Sequence, residues 1–267
     1  MFCDQVTILR QEKLAEGILR MVLAAPEAAK DAKPGQFVNL YVNDASMLLP
    51  RPISICEANP EEGTLTLIYG VVGKGTEAFS HYEPGCKIRM MGPLGNGFPM
   101  DRSAQESVRE ILLVGGGLGI PPMLFLARRL HEQYPDKPIR IFNGFRSAPW
   151  IDEEFYPYGE VFCASDDGAS GFSGNVIDAM EYKKIRTDEH TKAVLYACGP
   201  VPMLKAIQRW QERYNLESWF SLEERMGCGF GACAGCPAKL RMPDGSVMKK
   251  GVCKLGPVFP GEDVIFE

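Results

Sequence analysis

The first hundred residues alternate apolar and polar positions in short runs. Gln36-Phe-Val-Asn-Leu-Tyr-Val and Thr64-Leu-Thr-Leu-Ile-Tyr both follow the period of two that marks strands. Turn signals divide them: Lys33-Pro-Gly, Glu62-Gly, Glu83-Pro-Gly and Met91-Gly-Pro-Leu-Gly-Asn-Gly. Strands at this spacing predict a small antiparallel barrel, with a helical piece, Gly75-Thr-Glu-Ala-Phe-Ser-His-Tyr, before the Glu83-Pro-Gly turn. From about residue 105 the texture changes. Glu110-Ile-Leu-Leu-Val is a buried strand, Gly115–Gly119 a glycine-rich turn, and Pro121-Pro122 opens a helix, where unpaired first-turn N–H groups make proline welcome. Met123, Leu126, Ala127 and Leu130 give that helix one apolar face. Strands follow at 139–145, 160–164 and 193–197, the last running into Cys198-Gly-Pro and a helix to about Tyr214. Repeated strand–helix units imply a parallel sheet with crossovers. The expected order is an antiparallel β-barrel over 1–102, an α/β domain over 103–215 and a small C-terminal appendage over 216–267. In the appendage, Met242-Pro-Asp-Gly-Ser turns a hairpin back towards Cys253.

Composition narrows the class. The 267 residues are 45% hydrophobic and 24% charged with net charge −5, so no basic surface for nucleic acid is expected. The N-terminus has no basic region followed by an apolar run, and no apolar run approaches the roughly 18 residues of a membrane span. The longest, Ile111–Met123, is broken by four glycines and two prolines. A soluble, cytoplasmic chain is expected. Of the nine cysteines, Cys3, Cys56, Cys86, Cys163 and Cys198 read as reduced thiols. His81, His131 and His190 are isolated and read as surface or packing residues.

The remaining cysteines carry the strongest chemical signal. Cys228-x4-Cys233-x2-Cys236 is followed after sixteen residues (237–252) by Cys253, the plant-type arrangement of four thiolates around a [2Fe–2S] cluster. Gly227, Gly229, Gly231 and Gly235 let backbone approach such a cluster closely. Zinc and disulfides are the competing readings. Structural zinc favours two C-x2–4-C pairs, of which Cys233 and Cys236 supply one and Cys228 and Cys253 do not supply another. Disulfide frameworks belong to small secreted chains.

Two barrel segments suit a phosphate-bearing flat ligand. Arg51-Pro-Ile-Ser54 places a forked cation at a strand end, Pro52 fixes the backbone beside Ile53, and Ser54 offers a hydroxyl. Ile68-Tyr-Gly70 brings Tyr69 as a stacking ring, and Gly75-Thr76 opens the short helix, a seat for pyrophosphate. A lone Arg51 reads equally as a solvated charge. In the second domain Gly115, Gly116, Gly117 and Gly119 form the turn, but Ile120 breaks the G-x-G-x-x-G fingerprint. A ligand-free βα turn therefore stays open on the motif alone, as does a buried structural role for Cys198.

Together these segments resemble the ferredoxin–NADP reductase superfamily, whose Arg-x-x-Ser/Thr strand and Gly-Thr helix start bind a flavin. The resemblance implies FAD at Arg51, Pro52, Ile53, Ser54, Ile68, Tyr69, Gly70, Gly75 and Thr76. The glycine-rich turn, Gly144-Phe-Arg146, Ser165-Asp-Asp-Gly168 and Cys198-Gly199-Pro200 are similar to that family's nicotinamide domain, with Cys198 a packing and positioning residue. NAD is expected rather than NADP, because no Arg/Lys cluster follows the second strand, although Arg146 keeps NADP open.

Order and size narrow the resemblance. A flavin barrel, a nicotinamide domain and the segment Ser221-Leu-Glu-Glu-Arg-Met-x-Cys-Gly-x-Gly-x-Cys-x-Gly-Cys with a late Gly256-Pro-Val-Phe are similar to the electron-transfer subunits of type B dihydroorotate dehydrogenases. That resemblance implies an FMN-containing catalytic partner in a heterotetramer of two copies of each. It also implies electron flow from dihydroorotate through partner FMN, cluster and FAD to NAD⁺, with no catalytic acid or base on this chain. A flavin/iron–sulfur reductase serving ferredoxin, an oxygenase or a hydrogenase is the alternative, and a zinc-stabilised binding module the third.

Overall fold

The computed structural model describes residues 2–183 and 192–266; His190 lies outside them. The chain forms two compact units, one of 1–97 with 224–238 and 250–257, the other of 98–223 with 239–249 and 258–267. Residues from 224 onward therefore divide between the two.

The first unit is built on β1 (Phe2–Ala15), β2 (Ile18–Ala24), α1 (Pro26–Asp31), β3 (Phe37–Tyr41), β4 (Arg51–Asn59), β5 (Thr64–Gly70), α2 (Lys74–Ser80) and β6 (Lys87–Leu94). The strands close a barrel in the order β1-β2-β5-β4-β3-β6, every pair antiparallel. Its register sorts the side chains. Leu40 lies opposite Met90 and both are fully buried. The intervening pairs, Asn39 with Met91 and Tyr41 with Arg89, face the other way, because successive strand side chains alternate. The Arg89 guanidinium sits 4.6 Å from the Tyr41 ring centre.

The second unit carries β7 (Val108–Gly116), α3 (Ile120–Gln133), β8 (Ile139–Phe145), β9 (Glu160–Ser165), β10 (Phe172–Ser173), α4 (Val176–Tyr182), β11 (Lys192–Cys198), α5 (Val201–Tyr214) and β12 (Glu217–Ser221). Along the chain a two-stranded hairpin follows, β13 (Pro237–Arg241) with β14 (Val247–Gly251), which the two units share, then α6 (Val252–Leu255) in the first unit and β15 (Val258–Pro260) in the second. The main sheet runs β10-β9-β8-β7-β11-β12-β15. It is parallel except at β15, which pairs antiparallel with β12 through Phe220↔Phe259. From Glu110 to Gly116 β7 is buried without interruption, as expected of a parallel strand covered on both faces. Met123, Leu126, Ala127 and Leu130 of α3 are fully buried, so the face read from spacing is the one that packs. Among the described residues no helix is long and apolar enough to cross a membrane.

Strand order fixes where this sheet can bind a ligand. From β7 the chain steps outward to β8 and β9, then returns to the other flank of β7 with β11. The crevice beyond the carboxyl ends of β7 and β11 is therefore a topological switch point, the usual ligand position in open parallel sheets.

Candidate functional site

The cysteine loop lies in the first unit. Cys228 is half-buried, Cys233 exposed, and Cys236 and Cys253 buried. The thiols meet as two pairs. The backbone N–H groups of Ala232 and Cys233 point to the Cys228 sulfur at 3.2 and 3.4 Å. Cys253 N–H points to the Cys236 sulfur at 3.5 Å, while Val252 N donates to Cys236 O at 2.9 Å. Burial pushes the Cys228 thiol up, but the N–H groups of Phe230, Cys233 and Ala232 and the Cys233 thiol outweigh it and bring it down to about 6. Cys253 is pushed up to about 12 by burial, then by the neighbouring Cys236 and the charge of Cys228. Deprotonating one thiol thus opposes deprotonating another, a conflict that bound cations relieve. Among the described residues no three His, Cys, Asp or Glu side chains close into one metal-binding group.

The chemistry of the donor set nevertheless fits an iron–sulfur cluster. Three soft thiolate sources share one loop, the fourth, Cys253, follows on α6, and backbone N–H groups already point at two of the sulfurs. Added methyl groups at Gly227 and Gly235 would stand 3.3 and 3.4 Å from the Cys233 sulfur. Gly229, Gly231 and Ala234 hold φ of 74°, 92° and 53°, so the loop curls tightly around the sulfurs.

The same unit gathers the expected flavin residues. Arg51 opens β4 and donates to Leu49 O. Its guanidinium crosses Gly75 at the start of α2, where a Cβ would stand 2.2 Å from Nε. Thr76 Oγ1 accepts from Val72 N at 2.9 Å and Gly73 N at 3.3 Å and donates to Gly73 O at 3.1 Å, so the hydroxyl is spent on the helix start. Ser54 pairs with Phe37 across the β3–β4 ladder and Pro52 with Asn39, with Ile53 between them. The stacking role expected of Tyr69 finds no open ring. Tyr69 is 1% exposed, meets Phe79 edge-on with ring centres 6.2 Å apart, and donates its hydroxyl to Gln11 Oε1 at 3.2 Å. Ile68 and Gly70 beside it are buried too. Gln11 was not legible in the sequence. Its Nε2 reaches Phe79 O at 2.9 Å and Tyr82 O at 2.8 Å, tying β1 to the end of α2.

In the second unit the structure brings the two segments expected to bind nucleotide together at the switch point. Gly115 pairs with Cys198 across β7 and β11. A Cβ on Gly119 would lie 2.2 Å from Cys198 O and 2.6 Å from Gly199 N, and one on Gly116 would lie 3.0 Å from Pro200 Cδ. Gly117, with φ of 54°, faces open space. The adjoining cavity of about 190 Å³ is lined by Gly116, Gly117, Gly144, Arg146, Asp166, Asn175, Pro200 and Met203 among others. Cys198 is buried, and burial, with the Glu223 charge, raises its thiol well above the ordinary range. That suits a packing residue rather than a nucleophile. Beneath the turn, Asn143 Nδ2 donates to Asp152 Oδ1 at 2.8 Å and the Cys163 thiol contacts Asp152 Oδ2, a buried polar group the sequence did not announce.

A closed antiparallel barrel, a parallel sheet with a glycine turn at its switch point and a set of four cysteines after it define the class of flavin- and pyridine-nucleotide-dependent reductases. Solved structures agree on the fold. A NADH-dependent reduced ferredoxin–NADP oxidoreductase superposes with a TM-score of 0.82 at 29% identity, covering 97% of this chain and 89% of that one. A ferredoxin–NADP⁺ reductase from Neisseria gonorrhoeae superposes at 0.64 with 18% identity, over 79% of this chain and 91% of that one. The chain belongs to the family of dihydroorotate dehydrogenase B (NAD⁺) electron transfer subunits. It is 38% identical over 264 residues to the subunit of Geobacillus thermodenitrificans, covering 98% of each chain, and 40% identical over 265 residues to that of a Geobacillus species, again 98% of each. The family model for the iron–sulfur cluster binding domain of dihydroorotate dehydrogenase B matches residues 223–265.

Proposed function

We propose that this chain carries electrons between an FMN-containing dihydroorotate dehydrogenase subunit and NAD⁺, in the oxidation of dihydroorotate to orotate in the cytoplasm, as two copies of each subunit. The observation that carries the reading is a three-thiol loop with a fourth thiol on α6, and a switch-point glycine turn, on one chain that matches electron transfer subunits over 98% of its length. Once bound, NAD exchanges electrons as hydride, a [2Fe–2S] cluster takes them singly and FAD does both, so FAD joins the two.

Residues 1–102 serve as the flavin domain, 103–215 as the nucleotide domain and 216–267 as the cluster segment. Cys228, Cys233, Cys236 and Cys253 ligate iron, and Ala232 N–H and Cys233 N–H lower the charge on one sulfur. Arg51 neutralises flavin phosphate beside Gly75, while Thr76 fixes the turn before α2. Gly115, Gly116, Gly117 and Gly119, with Cys198, Gly199 and Pro200, let nucleotide approach the backbone at the end of the sheet. Nothing on this chain acts as acid or base on the pyrimidine; that chemistry belongs to the partner.

The test is the visible spectrum of the purified chain with and without the FMN subunit. Flavin bands with iron–sulfur shoulders should bleach anaerobically with NADH, and with dihydroorotate only when the partner is present. Bleaching by NADH that never couples to the partner would overturn the pyrimidine assignment. A chain that stays colourless after reconstitution with iron, sulfide and FAD would overturn the cofactor set.

A further inference from the structure

Asn39 is the polar residue in the middle of β3, with no exposed surface. Its Nδ2 donates to the Cys228 carbonyl at 3.0 Å, across 189 residues of chain. Its amide also presses on the next residue: a Cβ on Gly229 would stand 2.2 Å from Nδ2 and 2.7 Å from Oδ1. The amide cannot be turned round, since Oδ1 would then face the carbonyl oxygen. In the observed orientation Oδ1 is buried and meets no hydrogen-bond donor among the described residues, an arrangement that costs free energy. Along the ladder Asn39 pairs in register with Pro52 of β4, within the segment assigned to the flavin. One residue thus joins β4 through its backbone ladder to the loop that bears Cys228 through its side chain.

We propose that Asn39 is a positioning residue for the cluster. By holding the Cys228 carbonyl it fixes the Cys228–Gly229 peptide on the barrel, and so sets the cluster's reduction potential and its placement relative to the flavin strand. Hydrogen bonds one step removed from a ligand orient it and tune the metal's electronics. Gly229, at φ of 74°, provides both the left-handed turn and the missing Cβ that let the amide approach.

This inference rests on the assignment of Cys228 as a ligand, and the experiment separates the two. Asn39→Leu and Asn39→Ala both lack the donor but differ in size and shape, so their shared effects report the lost hydrogen bond. In both, amide exchange across 227–231 of the apo chain should rise about five- to tenfold, while exchange in β1 and β2 stays as in the parent. After reconstitution, both should bind iron but show a shifted midpoint potential and an altered electron paramagnetic resonance spectrum. Gly229→Ala approaches the contact from the loop, outside the barrel strands, and should reproduce the faster exchange even if the strand variants fold poorly. Parent-like exchange in Gly229→Ala, or a parent-like potential and spectrum in an iron-loaded Asn39 variant, would overturn the proposal. A parent chain that binds no iron would instead overturn the assignment of Cys228.

Discussion

Gly117 and Gly119 stand two residues apart in one turn and differ in what a methyl group would meet. At Gly119 the obstacle is backbone: the carbonyl of Cys198 at 2.2 Å and the nitrogen of Gly199 at 2.6 Å. Neither can rotate away, so Gly119→Ala should cost about 2–3 kcal/mol, as overpacking does, and push β7 and β11 apart at the nucleotide turn. At Gly117 space is open and only φ of 54° resists, a penalty of about 1–2 kcal/mol. Urea midpoints of the two variants, read beside the rate of NADH-driven bleaching, should rank Gly119→Ala well below Gly117→Ala. Equal midpoints would mean that the approach of the two turns is soft. Cys163 makes a different prediction. Burial, then the hydrogen bond and charge of Asp152, raise its thiol from 9.0 to about 12. The folded chain therefore holds that proton more tightly than the unfolded chain. Its stabilising contribution is complete below pH 9 and is lost as pH climbs towards 12. Cys163→Ala, which forfeits the contact with Asp152, should be less stable than the parent at pH 8 by about 1 kcal/mol. The gap should close as pH rises through 10 and 11 in chemical denaturation, and a constant gap across that range would refute the assignment.

Among the elements, what the sequence shows depends on how local the cause is. The alternation in 36–42, the two prolines opening α3 and the spacing of Cys228, Cys233 and Cys236 are local, and each could be read directly. The placement of Asn39 on the loop, or of Gln11 on α2, was not legible. Their partners lie 189 and about 70 residues away along the chain, and a lone polar residue in a strand gives no address for its contact. β12 and β15 escaped for the same reason: their Phe220↔Phe259 pairing leaves no local pattern, and β10 is two residues long. Tyr69 was misleading because a ring at a strand end looks available until its neighbours are known. Its burial under α2 gives Gln11 its purpose, since Gln11 accepts from the Tyr69 hydroxyl and donates to the Phe79 carbonyl of α2 and the Tyr82 carbonyl just beyond it. Gln11→Leu should therefore lower stability by about 1–2 kcal/mol and raise FAD loss on dilution several-fold, because α2 carries Gly75 and Thr76. Tyr69→Phe, which loses a single bond to the same amide, should do markedly less. Equal FAD retention in Gln11→Leu and the parent, followed by flavin fluorescence, would show that α2 holds its place unaided.

For the whole molecule, the decisive feature is that neither unit is one stretch of chain. The backbone passes from one unit to the other at 97/98, 223/224, 238/239, 249/250 and 257/258. The segment after 223 therefore completes both units. In the first it supplies the Cys228 loop over Asn39 and brings Pro257 and Gly256 against Gly95, beside Phe37. In the second it supplies β15, which pairs with β12, and the carbonyls of Gly261 and Val264 that bond Gln208 at 2.6 and 2.7 Å. Removing residues 224–267 should damage both units, not trim a separable appendage. Phe220, fully buried, loses its cover when Phe259 and Gly261 go, and exposing one such side chain costs about 1.5–3 kcal/mol. The two units can be followed separately. All three tryptophans, Trp150, Trp210 and Trp219, lie in the second unit, whereas flavin fluorescence reports the first. In urea, the tryptophan transition of a chain ending at residue 223 should move to clearly lower denaturant than in the full chain, with flavin released earlier as well. A truncated chain whose tryptophan midpoint matches the parent would show instead that the second unit is complete before the cysteine loop begins, with β15 a dispensable edge.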